Sequence, residues 1–225
     1  MELLHQDMEK KSRMKDVSVV LGLLDNNDAS AVVKVGDTEV ACGLFGPVEA
    51  RGAKDSHNGL LVDVSTRSNV ALPTHSHKHI ESIITDIVTR CVDCRRFPHM
   101  QLSICIEILA DSGMLLSVVG NAVYFALLDS GLPMNHKFVS FSLSSVDGEL
   151  IMDHPNCSTL RAGGSVTVFA DPDSGQQLYL AQEDGAMSPD FYKKFPTDLR
   201  GFCDAKFLAL SNAMRTREPQ LRFSR

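Results

Sequence analysis

No apolar run in this sequence approaches the roughly 20 residues that a bilayer-spanning helix needs. The opening stretch, Met1 to Lys15, is charged and lacks the apolar core of a secretory signal peptide. An intracellular chain is expected from these two absences. Cysteine is sparse: six are scattered through apparent strands and helices, not packed into a dense framework, so they read as buried thiols in a reducing compartment. There is no internal repeat, no low-complexity segment and no linker long enough to divide the chain. Positive charge is also short. With 22 Lys and Arg against 28 Asp and Glu, the formal net charge is −6. Nucleic-acid affinity is mostly counterion release by Lys and Arg. This chain alone is therefore expected to bind nucleic acid poorly, and partners would have to supply much of the positive surface.

What is present is enough for one well-buried domain: 225 residues, 44% of them hydrophobic. The stretch from Leu102 to Met134 organises the rest. Leu102, Ile104, Ile106 and Ile108 alternate with Ser103, Cys105 and Glu107, the period of a half-buried strand. Ala110-Asp111-Ser112-Gly113 is turn chemistry. Val118, Val119, Ala122, Val123, Phe125, Ala126 and Leu127 then cover nearly every direction of a helix, and a helix apolar all round is buried. Gly120 and Ala122 are small enough to let a neighbouring element come close. Asp129-Ser130-Gly131 and Pro133 end the helix.

Before this unit, strands are expected at Val17–Leu24, Ala29–Val35, Glu39–Phe45 and Leu60–Ser65. Asp25–Asp28 and Gly36-Asp37 would make turns, and Gly46-Pro47 would close the third strand. Lys54–Asn58 and Arg67–His75 read as loops. His77 to about Cys94 is an amphipathic helix with Ile80, Ile83, Ile84, Ile87, Val88 and Cys91 on one face. After the unit come Phe138–Val146 and Leu150–Met152 across Asp147-Gly148, a short helix at Pro155–Arg161, and a hairpin of Val166–Ala170 with Gln177–Ala181. A helix beginning at Ser188-Pro189 is interrupted at Pro196. It restarts with Leu199, Phe202, Cys203, Ala209, Leu210 and Ala213 inward. The fold class is α+β. Residues 1–15 form an extension, 16–214 the domain, and 215–225 a loose basic tail.

These segments resemble the RNase PH family. The isoleucine-rich strand, Ala-Asp-Ser-Gly, the small-residue helix ending in Ala-Leu-Leu-Asp-Ser-Gly, and Leu-Pro-Met carry the likeness. Gly36-Asp37-Thr38-Glu39-Val40 with Leu44-Phe45-Gly46-Pro47-Val48-Glu49 resembles the family's "gly-asp-thr … tyr-gly-pro" strand pair. Asp147-Gly148-Glu149-Leu150 with Met152-Asp153 resembles its "asp-gly … leu-asp" hairpin. The likeness spans roughly Val17 to Met214 and is nearest to ring subunits of the eukaryotic RNA exosome. It implies a single domain of mixed sheets packed against a central buried helix and further helices.

The resemblance also makes demands that this sequence does not meet. Phosphorolytic members hold phosphate with an arginine in a "gly-thr-arg-thr" turn, a site that wants a permanently charged planar fork. Here the turn reads Gly113-Met114-Leu115-Leu116, and Leu115 stands in the arginine's place. Active members carry two aspartates, six apart, after the "leu-asp" strand, to hold a hard cation or act as general acid. Thr159 and Ser165 fall there, and Pro155 to Val168 contains no Asp or Glu. Arginines on the first helix are replaced at or near Ile80, Ser82 and Thr85, leaving Lys78 and Arg90. A non-catalytic chain is expected, with no cofactor and no metal.

Other constellations are weighed against ordinary structure. His75, His77 and His79 with Cys91 and Cys94 suggest zinc, but one continuous helix would hold His79 and Cys91 roughly 18 Å apart. Asp111 and Asp153 read as turn or cap residues. Ser188 has no triad partner, and Gly163-Gly164 is a bend. Arg67, Lys78, Arg95 and Arg96 are the RNA-contact candidates, with the resemblance favouring Arg67 and Lys78. The resemblance implies other RNase PH-like exosome subunits and RNA-binding cap subunits as partners, single-stranded RNA through the assembled ring, and a place in nucleus, nucleolus and cytoplasm. A homodimer of the isolated chain stays open. So do two rival readings: a phosphate-independent nuclease, alone or as a homodimer, and a free-standing RNA-binding module.

Overall fold

A computed structural model describes residues 17–24, 26–50, 59–69, 74–146, 149–153, 164–185, 187 and 189–221. Strands β1 (Val17–Leu21), β2 (Ala29–Val35), β3 (Thr38–Glu49), β4 (Leu61–Ser68) and β5 (Met100–Ala110) form one sheet in the order β1-β2-β3-β5-β4. All neighbours are antiparallel except β4 and β5. A parallel pair needs a crossover, and helix α1 (Thr74–Cys91) supplies it. Strands β6 (Val139–Val146), β7 (Glu149–Met152), β8 (Gly164–Ala170) and β9 (Gln177–Gly185) form a second, antiparallel sheet ordered β7-β6-β8-β9.

Helix α2 (Leu115–Ser130) lies between the two sheets, and its residues from Leu116 to Leu127 are all buried. The isoleucines of β5 and Val33 and Val35 of β2 turn inward to the same core. Gly120 explains how the second sheet can approach: a Cβ there would run into the Phe169 ring and the Ser140 hydroxyl. Gly131, at φ 67, ends the helix by donating its N–H to the Leu128 carbonyl. Helix α3 (Pro189–Leu221) packs against β1 and β6. Phe191, Phe195, Leu199, Cys203 and Leu210 form its buried stripe. The result is the α+β, single-domain arrangement of mixed sheets around a central buried helix.

The structure corrects several boundaries. Strand β1 stops at Leu21. Strand β3 continues through Gly46-Pro47 to Glu49, because a bulge between Phe45 and Val48 absorbs the proline, which cannot donate to a regular ladder. Strand β4 runs to Ser68, so Arg67 lies in a strand, not a loop. Helix α3 is continuous through Pro196 and runs on to Leu221, past the expected start of a loose tail. A proline costs a helix one hydrogen bond and a steric clash. Buried Phe195 and Leu199, on either side of Pro196, anchor the helix against the core there. Cys105 is exposed, on the outward register of β5, whereas Cys42, Cys91 and Cys203 are buried as expected. The N-terminal extension, the Lys54–Asn58 loop and the Pro155–Arg161 helix lie outside the described residues. Among the described residues, no helix is long and apolar enough to cross a membrane.

Candidate functional site

The turn before α2 is built from two distant segments. Gly36, at φ 60, allows the tight connection that puts Val35 opposite Thr38. Thr38 is fully buried. Its hydroxyl donates to the Gly113 carbonyl at 2.8 Å and accepts from the Ser112 N–H at 3.0 Å. The Gly-Asp-Thr and Ala-Asp-Ser-Gly motifs, some 75 residues apart, are therefore one structural unit. Asp111 accepts the Gly113 N–H at 2.9 Å, which is the turn role expected of it.

This turn delivers no cation to the helix N-terminus. Met114 occupies the cap position at φ 62, buried, with no side-chain hydrogen bond to the first turn. Leu115 packs against the core and Leu116 is buried. A helix N-terminus attracts anions through its free N–H groups, but three apolar side chains crowd this one. Ser165 is buried in β8, opposite Ser144, and Thr159 lies outside the described residues. On α1, Ile80 is buried in the core, Ser82 is exposed, and Thr85 donates back to the Glu81 carbonyl at 2.7 Å.

The polar groups that are buried nearby serve the free edge of β6. Asn121 on α2 accepts the Ser140 N–H at 3.1 Å and donates to its carbonyl at 2.8 Å. Two residues on, Asp153 continues the pattern. Its N–H donates to the Ser142 carbonyl at 2.8 Å, and its carboxylate accepts the Ser142 N–H at 3.0 Å. Both residues imitate a strand where β7 has ended. Asp153 sits at φ 50, and its second carboxylate oxygen receives Lys206 Nζ of α3 at 2.6 Å. Both partners are buried. Asp153 thus caps a strand edge, as its sequence context suggests, but the paired lysine was missed. Its signal was present: Lys206 falls in register with Leu199, Cys203 and Leu210, where an apolar residue is expected.

The four candidate cations separate into two groups. Arg67 and Lys78 are exposed near the start of α1. Their neighbours tie strand to helix. The Thr66 N–H donates to Glu81 Oε1 at 2.8 Å, and the Thr66 carbonyl faces His77 Nδ1 at 3.4 Å. Arg95 and Arg96 sit beyond the other end, in a single 3-10 turn. A helix of 18 residues is about 27 Å long, so the fold does not bring the four together. Arg96 is held by Asp93 at 2.7 Å. Arg95 has no carboxylate partner among the described residues and borders a cleft of about 450 Å³. The same continuous helix keeps the histidines near its start away from Cys91. Burial pushes the Cys91 thiol up to about 12, with Asp171 adding to the rise, which leaves it protonated and inert.

Comparison with known proteins fits this architecture. Residues 13–133 match RNase PH, the 3′ exoribonuclease family, domain 1, more than half of the chain. The chain belongs to the RNase PH family. Among its RNase PH relatives, the exosome complex component RRP46 homolog of Caenorhabditis elegans is 28% identical over 141 residues, 63% of this chain. The match spans 65% of the nematode protein's own length, just short of two-thirds. Exosome complex component Rrp41 of Nitrosopumilus maritimus is 26% identical over 188 residues, covering 79% of this chain and 76% of that protein. The crystal structure of rice (Oryza sativa) Rrp46 superposes with a TM-score of 0.78 at 21% identity, covering 91% of this chain and 95% of that one. An archaeal exosome core gives 0.72 at 16% identity, with 92% and 93% covered. These structural likenesses speak for the RNase PH-like fold.

Proposed function

We propose that this protein is a non-catalytic ring subunit of an RNA exosome. It would pair with other RNase PH-like subunits, meet RNA-binding cap subunits, and form part of the wall of a channel through which single-stranded RNA passes to a nuclease elsewhere. The reading extends to 3′-to-5′ RNA processing and degradation, ribosomal RNA included, in nucleus, nucleolus and cytoplasm. The observation that carries the non-catalytic part is the start of α2, where Met114, Leu115 and Leu116 occupy the turn that would need a guanidinium for phosphate. An anion placed there would lose hydration without gaining a charged partner. The names of the relatives, exosome components among them, support the assembly. The acidic balance agrees with it, since an isolated chain of net charge −6 has little to offer a polyanion. Within the ring, Arg67 and Lys78 are the proposed RNA contacts.

The test of the non-catalytic claim is an assay of purified protein with single-stranded RNA and inorganic phosphate. No nucleoside diphosphate is expected above a no-protein control. Leu115→Arg is expected to restore none, because the carboxylate positions are also lost. Phosphate-dependent release by the unaltered chain would overturn the claim; release by Leu115→Arg alone would show that Leu115, and not the missing carboxylates, silences the site.

A further inference from the structure

The cleft past the end of α1 is bounded by Thr89, Arg90, Asp93, Cys94, Arg95 and Asn135. Its walls are fixed by backbone hydrogen bonds among three segments. The Asp93 N–H donates to the Pro133 carbonyl at 3.0 Å, the Asn135 N–H to Cys91 at 2.7 Å, and the Leu60 N–H to Cys94 at 2.9 Å. Val92 and Met134 form an isolated bridge between the two sides. Three arginines meet at this corner, and two are already engaged. Arg90 pairs with Asp86 at 2.8 Å, and Arg96 with Asp93 at 2.7 Å. Arg95 is exposed and, among the described residues, has no such partner.

We infer that this cleft is a docking site for a carboxylate-bearing loop of a neighbouring protein subunit, with Arg95 as the guanidinium that receives the carboxylate. The inference rests on the ring-subunit reading and names one surface for it. Charge decides between a protein carboxylate and RNA. A polyanion is held by many cations acting together, and at this corner Arg90 and Arg96 are already paired, which leaves Arg95 alone to meet an anion. A single carboxylate needs one planar fork, and a guanidinium is shaped for it. In water such a pair contributes little; seated between preformed walls, with Asn135 beside it, it is shielded and oriented. This assigns Arg95 to protein contact and separates it from Arg67 and Lys78 at the other end of the helix.

The experiment uses the full chain, tagged in its native cell and purified with its assembly. Arg95→Glu is expected to lower recovery of an RNase PH-like or cap neighbour at least about tenfold. Thermal unfolding of the isolated variant should match wild type, because Arg95 is exposed. A second variant, Arg95→Lys, is treated in the assembly with a carbodiimide. The introduced amine is expected to form an amide with an Asp or Glu of another chain. Unchanged recovery with Arg95→Glu, an amide only to this chain's own Asp86 or Asp93, or ultraviolet cross-linking of RNA to residues 89–96 would each overturn the docking role. If the wild-type chain recovers no RNase PH-like neighbour, the ring reading falls and the docking role falls with it.

Discussion

At the scale of single residues, the buried polar groups decide more than their number suggests. Lys206 and Asp153 are 1% and 8% exposed, and the lysine meets a carboxylate that also holds a strand edge. Removing one member of a buried pair leaves the other uncompensated, at about 3–5 kcal/mol. Lys206→Met is therefore expected to lower unfolding free energy by about that amount in urea titration, and a loss under about 1 kcal/mol would show that the pair is not buried as described. The thiols act in the opposite pH direction from carboxylates. Burial pushes Cys203 up to about 11 and Cys91 to about 12. An unfolded thiol titrates near 8.5. The folded state binds the proton more tightly, so this contribution is whole below the unfolded value and is lost as pH rises from about 9 towards 11–12. The urea midpoint is expected to fall from pH 8 to about pH 10.5, and less steeply in Cys203→Ala.

At the scale of elements, α2 is held by one close approach and one amide. Alanine would normally improve a helix interior over glycine by roughly 1 kcal/mol. At Gly120 the added methyl would strike the Phe169 ring and the Ser140 hydroxyl in a filled core, and overpacking costs about 1–3 kcal/mol. Gly120→Ala is therefore expected to lower the melting temperature, and a rise would contradict the packing of α2 against the second sheet. The small side chain was legible in the sequence, and so were the central helix, the Gly36-Asp37 turn and most of the strands, because alternation and all-round apolarity are local signals. Two of the misread boundaries share a physical cause. Pro47 and Pro196 are strong local breakers, but a bulge accommodates one and flanking core contacts hold the other in place. Neither is visible without the partner elements. Lys206 is legible as a cation in an apolar register, but its carboxylate, 53 residues away, is not.

At the scale of the whole molecule, Leu115 and the run from Pro155 to Val168 without Asp or Glu could be read directly, and the structure adds that Thr38 holds the turn before α2. A turn so held and filled with apolar side chains suits the structural role proposed for the chain in an assembly. The separation of Arg67 and Lys78 from Arg95 and Arg96 could not be read from composition; it follows from the length of α1. The most direct test of the central claim is the mass and composition of the native particle, measured by native mass spectrometry after tagging this chain in its own cell. One copy of this chain is expected in a particle with several different RNase PH-like chains and RNA-binding cap proteins in equal amounts. A particle containing this chain alone, or only copies of it, would rule out the ring-subunit role.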